Sequence, residues 1–123
     1  MLELAHGWHW DVDLGPDCLF VRIKPSSHAD HSCLAESLWL LLRQHFANRL
    51  VLELDDLPML TSELVGQLML LQKQVHTDGG LLRLCGLSEE HHTTLRCCQL
   101  TEHLPSYHNR EAAVMGHQPA LIG

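Results

Sequence analysis

The sequence predicts an α/β domain, a mixed β-sheet of four to five strands with helices covering mainly one face. Three observations carry this. Helix-like and strand-like periodicities alternate through the middle of the chain, as in strand–helix–strand units with right-handed crossovers. The run 50–54 is almost wholly apolar, as expected of a central strand covered on both faces. The segment 8–14 instead alternates apolar with polar residues, the mark of a half-buried strand, and a turn signal follows it.

In the first strand Trp8, Trp10, Val12 and Leu14 fall on one side, and His9, Asp11 and Asp13 on the other. The two Trp side chains are expected to point inward, with a dimer contact as their alternative use. Gly15-Pro16-Asp17 signals a turn. Residues 18–24 complete a hairpin, ended by Pro25-Ser26-Ser27. Between 30 and 47, Leu34, Leu38, Leu41 and His45, with Leu42 beside them, recur at helical spacing and leave Trp39 and Arg43 off the apolar face. From about Ser62 to His76, Leu64, Leu68, Leu71 and Val75 share one face. Asp78-Gly79-Gly80 ends that helix, because glycine readily takes the left-handed conformation past a helix terminus. Leu81 to Cys85 is the next strand. Ser88 caps a third helix with Glu89 and Glu90 in its first turn, where the dipole favours them, and with Leu95 and Cys98 inward. Residues 105–108 read as a short edge strand and 110–115 as a short last helix. Residues 1–115 are thus expected to form one domain, and 116–123 a tail.

A chain of 123 residues is long enough for one core. Charged residues are 19% and apolar ones 46%, a globular rather than a disordered composition. The net charge of −7, with eight dispersed Lys and Arg, argues against nucleic-acid binding, which needs clustered cations. No leader-like start is visible, and the longest apolar run, Leu38 to Leu42, is far short of the roughly 20 residues that span a bilayer. Five cysteines, two of them adjacent, make no disulfide framework and suit reduced thiols in a cytoplasmic protein.

The densest information lies in 52–68. A strand leaves the core through Asp55 and Asp56, crosses a turn and enters a helix at Thr61-Ser62. A hydroxyl there caps free N–H groups, and the helix dipole tolerates negative charge. A phosphate on Ser62 would therefore cost the fold little while adding about −1.5 to −2 charge to the surface.

Leu52-Glu53-Leu54, Met59-Leu60 and Thr61-Ser62-Glu63-Leu64-Val65-Gly66-Gln67-Leu68 together resemble the central motif of the STAS domain, the fold of sulphate-transporter tails and anti-sigma-factor antagonists. The resemblance continues through Gly79-Gly80-Leu81-Leu82-Arg83-Leu84-Cys85-Gly86-Leu87-Ser88, through Leu95, Leu100 and Leu104, and into Arg110-Glu111-Ala112-Ala113, covering about 18–115. It implies a non-enzymatic regulator that binds an anti-sigma factor, usually a serine kinase, and is released when a serine is phosphorylated. The family's phosphoacceptor position falls on Ser62, with Thr61 in reserve. Asp55, Asp56, Thr61, Ser62 and Glu63 would form the partner-binding surface. Thr61 replaces the family's usual Asp, Glu63 its second Ser and Leu64 the following Gly, and Pro25-Ser26-Ser27-His28 stands where a kinase-binding segment is common. The same fold also accommodates a constitutive scaffold, with Glu63 partly standing in for phosphate, or a sensor of a small ligand. A monomer or weak homodimer is expected.

Eleven histidines raise a metal reading. His28, His31 and Cys33 form one candidate group, and His91, His92, Cys97 and Cys98 another, but no spacing matches a tetrahedral zinc pattern. Neither a metal nor a cofactor is expected. Gly-x-Ser-x-Gly is missing, and nothing argues for an activated cysteine, so no catalytic group is assigned.

Overall fold

A computed structural model describes residues 2–3, 7–15, 18–26, 33–100 and 103–115. Among them the elements run β1 (Leu2–Glu3), β2 (Trp8–Leu14), β3 (Leu19–Pro25), α1 (Leu34–Gln44), β4 (Arg49–Glu53), α2 (Ser62–Thr77), β5 (Leu81–Cys85), α3 (Glu89–Cys97), β6 (Ser106–Tyr107) and α4 (Arg110–Met115). One sheet takes the strands in chain order, β1-β2-β3-β4-β5-β6. The first three are antiparallel, and β3 to β6 are parallel. The sheet is mixed, as the hairpin and the alternating centre predict. The short edge strand expected at 105–108 is β6, and the one strand beyond the expected four to five is the two-residue β1 at the opposite edge.

The strand β4 lies centrally, pairing Leu50 with Leu19 of β3 and with Leu82 of β5. Alternation along the strands divides the sheet into two unequal faces. Trp8, Trp10, Leu19, Val21, Ile23, Leu50, Leu52, Leu82 and Leu84 join the buried sides of α1 and α2, and Leu95 of α3, in the main core. On the second face, among the described residues, Phe20, Val51, Cys85 and Tyr107 form a smaller buried cluster with Ala113 of α4.

Both Trp residues point inward as expected, but Leu14, at the end of β2, is 65% exposed. His45 is likewise exposed: α1 stops at Gln44, and His45 is its C-cap. Cys98 caps α3 from the surface rather than filling the core. These three residues sit where a regular element is ending, so periodicity no longer dictates their direction.

All three long helices end alike. Gly80 N donates to Val75 O at 2.8 Å and Gly79 N to His76 O at 3.0 Å, a Schellman closure with Gly79 left-handed at φ 77°. Phe46 (φ 53°) and Gln99 (φ 59°) fill the same position after α1 and α3 without being glycine.

His28 and His31, and the expected tail 116–123, lie outside the described residues. Among the described residues no group of three His, Cys, Asp or Glu side chains converges to hold a metal ion, and no helix is long and apolar enough to cross a membrane.

Candidate functional site

The parallel strands β3, β4 and β5 share one carboxyl edge, and the turns leaving β4 and β5 meet there. In open α/β sheets ligands are met outside the carboxyl ends of the strands. Leu54 N extends the ladder by donating to Cys85 O at 2.9 Å. The chain then turns at Asp55-Asp56, and Leu57 re-enters the core as an anchor. Asp55 is exposed, and its carboxylate lies against Gly86. A side chain at Gly86 would collide with that carboxylate, and its φ of 76° also favours glycine. The two turns are thereby packed together.

Past Met59, 66% exposed, the helix α2 begins. Its N-cap is Thr61, whose Oγ1 accepts from Leu64 N at 3.1 Å. Ser62, the first helical residue, is exposed, as is Glu63. Of the Thr61-Ser62 pair at which a capping hydroxyl is expected, Thr61 is the cap and Ser62 is not. The cap needs an extended backbone, which Thr61 has (φ −79°, ψ 160°) and a residue already in the helix does not. The structure therefore brings Thr61, Ser62 and Glu63 together on one surface at the start of α2, with Asp55 and Asp56 in the turn before them.

Several contacts that set this edge were not singled out from the sequence. Gln67 Oε1 accepts from Ala35 N at 3.0 Å, so α2 supplies the cap that Cys33 does not provide for α1. Arg22 on β3 reaches Glu53 at 3.8 Å and Asp55 at 3.9 Å. Arg110 forks onto Glu53, with Nη2–Oε2 at 2.8 Å, and its guanidinium also meets Asp13 Oδ2 at 2.6 Å. The same guanidinium lies 4.4 Å from the centre of the Phe20 ring. Hydrogen bonding to Glu53 holds Arg110 firmly protonated. Glu53 is 5% exposed in the central strand. A carboxylate so placed demands a cation, and that demand was the sequence signal for these arginines.

Cys85 closes β5 beside this network. Burial, reinforced by Glu53 and Asp55, pushes its thiol up to about 12, so it is a poor nucleophile in the closed fold. On the outer side of α1 and α2 a shallow open groove of about 300 Å³ is lined by Trp39, Lys73, Gln74, Thr77 and Asp78. Its Trp39 is flanked by Arg43, 5.7 Å from the ring centre.

Fold and site together define a mixed-sheet α/β domain that presents a capped helix start, with a free serine, at its carboxyl edge. This chain belongs to the STAS domain family, whose model matches residues 9–113. Solved structures similar to it include a Thermotoga maritima protein described as a candidate anti-sigma factor antagonist (14% identity, TM-score 0.75, covering 87% of this chain and 92% of that one). An anti-sigma factor antagonist from Mycobacterium paratuberculosis is similar over 94% of this chain and 97% of its own (13% identity, TM-score 0.73). A variant of RsbS from Moorella thermoacetica covers 88% and 93% (16% identity, TM-score 0.72). At these identities the likeness is one of fold. No curated protein sequence matches the chain.

Proposed function

We propose that the domain is a protein-binding regulator of the anti-sigma-factor-antagonist kind. It engages an anti-sigma factor that is a serine kinase through Asp55, Asp56, Thr61, Ser62 and Glu63, and phosphorylation of Ser62 ends the contact. The observation that carries this reading is the division of labour between neighbouring hydroxyls. Thr61 caps α2, which leaves the exposed Ser62 free for modification. A phosphate at the first helical residue sits beside unpaired N–H groups and the positive end of the dipole, so the fold tolerates it. It would also add about −1.5 to −2 charge beside Glu63, on a segment that already carries Asp55 and Asp56, enough to repel a partner that fits the unmodified surface. The kinase supplies the chemistry, so the domain needs no catalytic group of its own, and its place of action is the cytoplasm. Thr61 is the reserve acceptor, less apt because its oxygen is already engaged.

The test is the affinity of the wild type, Ser62→Ala and Ser62→Asp for the anti-sigma kinase of the source organism, at one salt concentration. Ser62→Ala is expected to bind like the wild type and Ser62→Asp at least about tenfold more weakly, in proportion to the added charge. Equal affinity for all three favours the second reading, a constitutive scaffold, which rests on the exposed Glu63 as a permanent negative charge beside Ser62.

A further inference from the structure

We propose that α4 is a detachable strap, latched over the second face of the sheet by Arg110, whose release uncovers Phe20, Val51 and Cys85 while the main core stays folded. Six residues make α4 too short to hold its shape unaided. Among its described side chains Ala113 is fully buried, and Arg110 and Ala112 in part. Its attachment is mainly polar, with an arginine at each end. At the start, Arg110 itself reaches back to Glu53 and Asp13 and covers Phe20. At the finish, Arg83 Nη1 donates to Ala113 O at 2.6 Å and to Val114 O at 3.4 Å, while its guanidinium lies over the Tyr107 ring. None of the described side chains of α4, residues 110–114, joins the main core on the opposite face.

The charges explain why such a strap is poised to move rather than fixed. Arg110 is more than a third exposed, so salt screens part of its pairing. When α4 lifts, Arg110 and Glu53 return to water together, and neither is left buried and alone. Removing Arg110 is different. With α4 closed, Glu53 would keep, among the described residues, Arg22 at 3.8 Å as its cation. A poorly compensated buried carboxylate is among the more costly defects a fold can carry, and lifting the strap relieves it. The latch also borders the surface assigned to the partner, because Arg22 joins Glu53 to Asp55.

Cys85 reports the motion, being 1% exposed within the cluster that includes Ala113. The experiment is alkylation of the full-length chain by N-ethylmaleimide, read at Cys85 by peptide mass spectrometry, beside hydrogen exchange of the β4 amides as the measure of global unfolding. Cys85 is expected to react at least about tenfold faster than β4 exchange permits, as for a sub-global opening. The rate is expected to rise between about 0.05 M and about 0.5 M salt. Arg110→Ala is expected to raise it by a further tenfold or so relative to β4 exchange. Cys85 labelling that follows β4 exchange in the wild type at both salt concentrations would overturn the proposal, whether or not the variant folds.

Discussion

Thr61 and Ser62 are neighbours of similar chemistry with separate roles, and the difference is measurable. Thr61→Ala removes the acceptor for Leu64 N and is expected to cost about 1 kcal/mol, within the usual range for a lost cap. Ser62→Ala removes an exposed hydroxyl and is expected to change stability by less than about 0.5 kcal/mol. Urea midpoints of the two variants check this, and the reverse order would return the cap to Ser62. From sequence alone the two are one register apart and equally suited to capping; only the backbone angles at Thr61 decide between them. Phe46 offers a second test at the same scale. It is 97% exposed and holds a left-handed φ of 53° at the closure of α1. Phe46→Gly relieves that conformation and is expected to stabilise the fold by about 0.5–1 kcal/mol, read as a higher thermal midpoint. An unchanged or lower midpoint would mean that the phenyl ring contributes contacts outweighing the backbone relief.

Within α2, Gly66 interrupts an otherwise well-formed helix. A Cβ there would meet nothing within 4 Å, so packing does not require glycine. Gly66→Ala is therefore expected to stabilise the domain by about 0.5–1 kcal/mol in urea denaturation. A loss of stability would show that an alanine methyl does not fit there after all. The elements themselves were legible wherever periodicity was long: the face Leu64, Leu68, Leu71 and Val75 of α2 is buried as the spacing predicts. Legibility failed at element ends, where Leu14, His45 and Cys98 turn to solvent. It failed again on the second face of the sheet. Alternation says that Arg22 and Glu53 point away from the main core, but not that a residue 57 positions later will cover them. The candidate site was legible as a segment, because strand, turn and helix follow one another there. The arginine network behind it was not, because its members come from four separate elements.

At the scale of the whole molecule, pH should reach the fold through the joint between α3 and β6. His92 Nδ1 lies 3.1 Å from Ser106 Oγ, which ties the helix to the edge strand. Burial, then Arg96, His108 and the neighbouring His91, hold the His92 pKa below the ordinary 6.5. In the unfolded chain those influences are gone. Above about pH 6.5 His92 is neutral in both states and its contribution to stability is complete. As pH falls through that value the unfolded chain takes up a proton that the folded one refuses. Stability then declines, and levels off once pH lies below the depressed native value. Most carboxylates titrate lower, so the window between about pH 5 and about pH 6.5 belongs chiefly to histidine. His92→Gln keeps a polar group within reach of Ser106 but cannot take up a proton. Urea midpoints between about pH 8 and about pH 5 are expected to fall less steeply for the variant than for the wild type, with the two profiles diverging below about pH 6.5. The difference between the profiles isolates His92 from the other ten histidines of the chain. Profiles that stay parallel throughout would show that His92 binds its proton equally well folded and unfolded, and that the α3–β6 joint is indifferent to its charge.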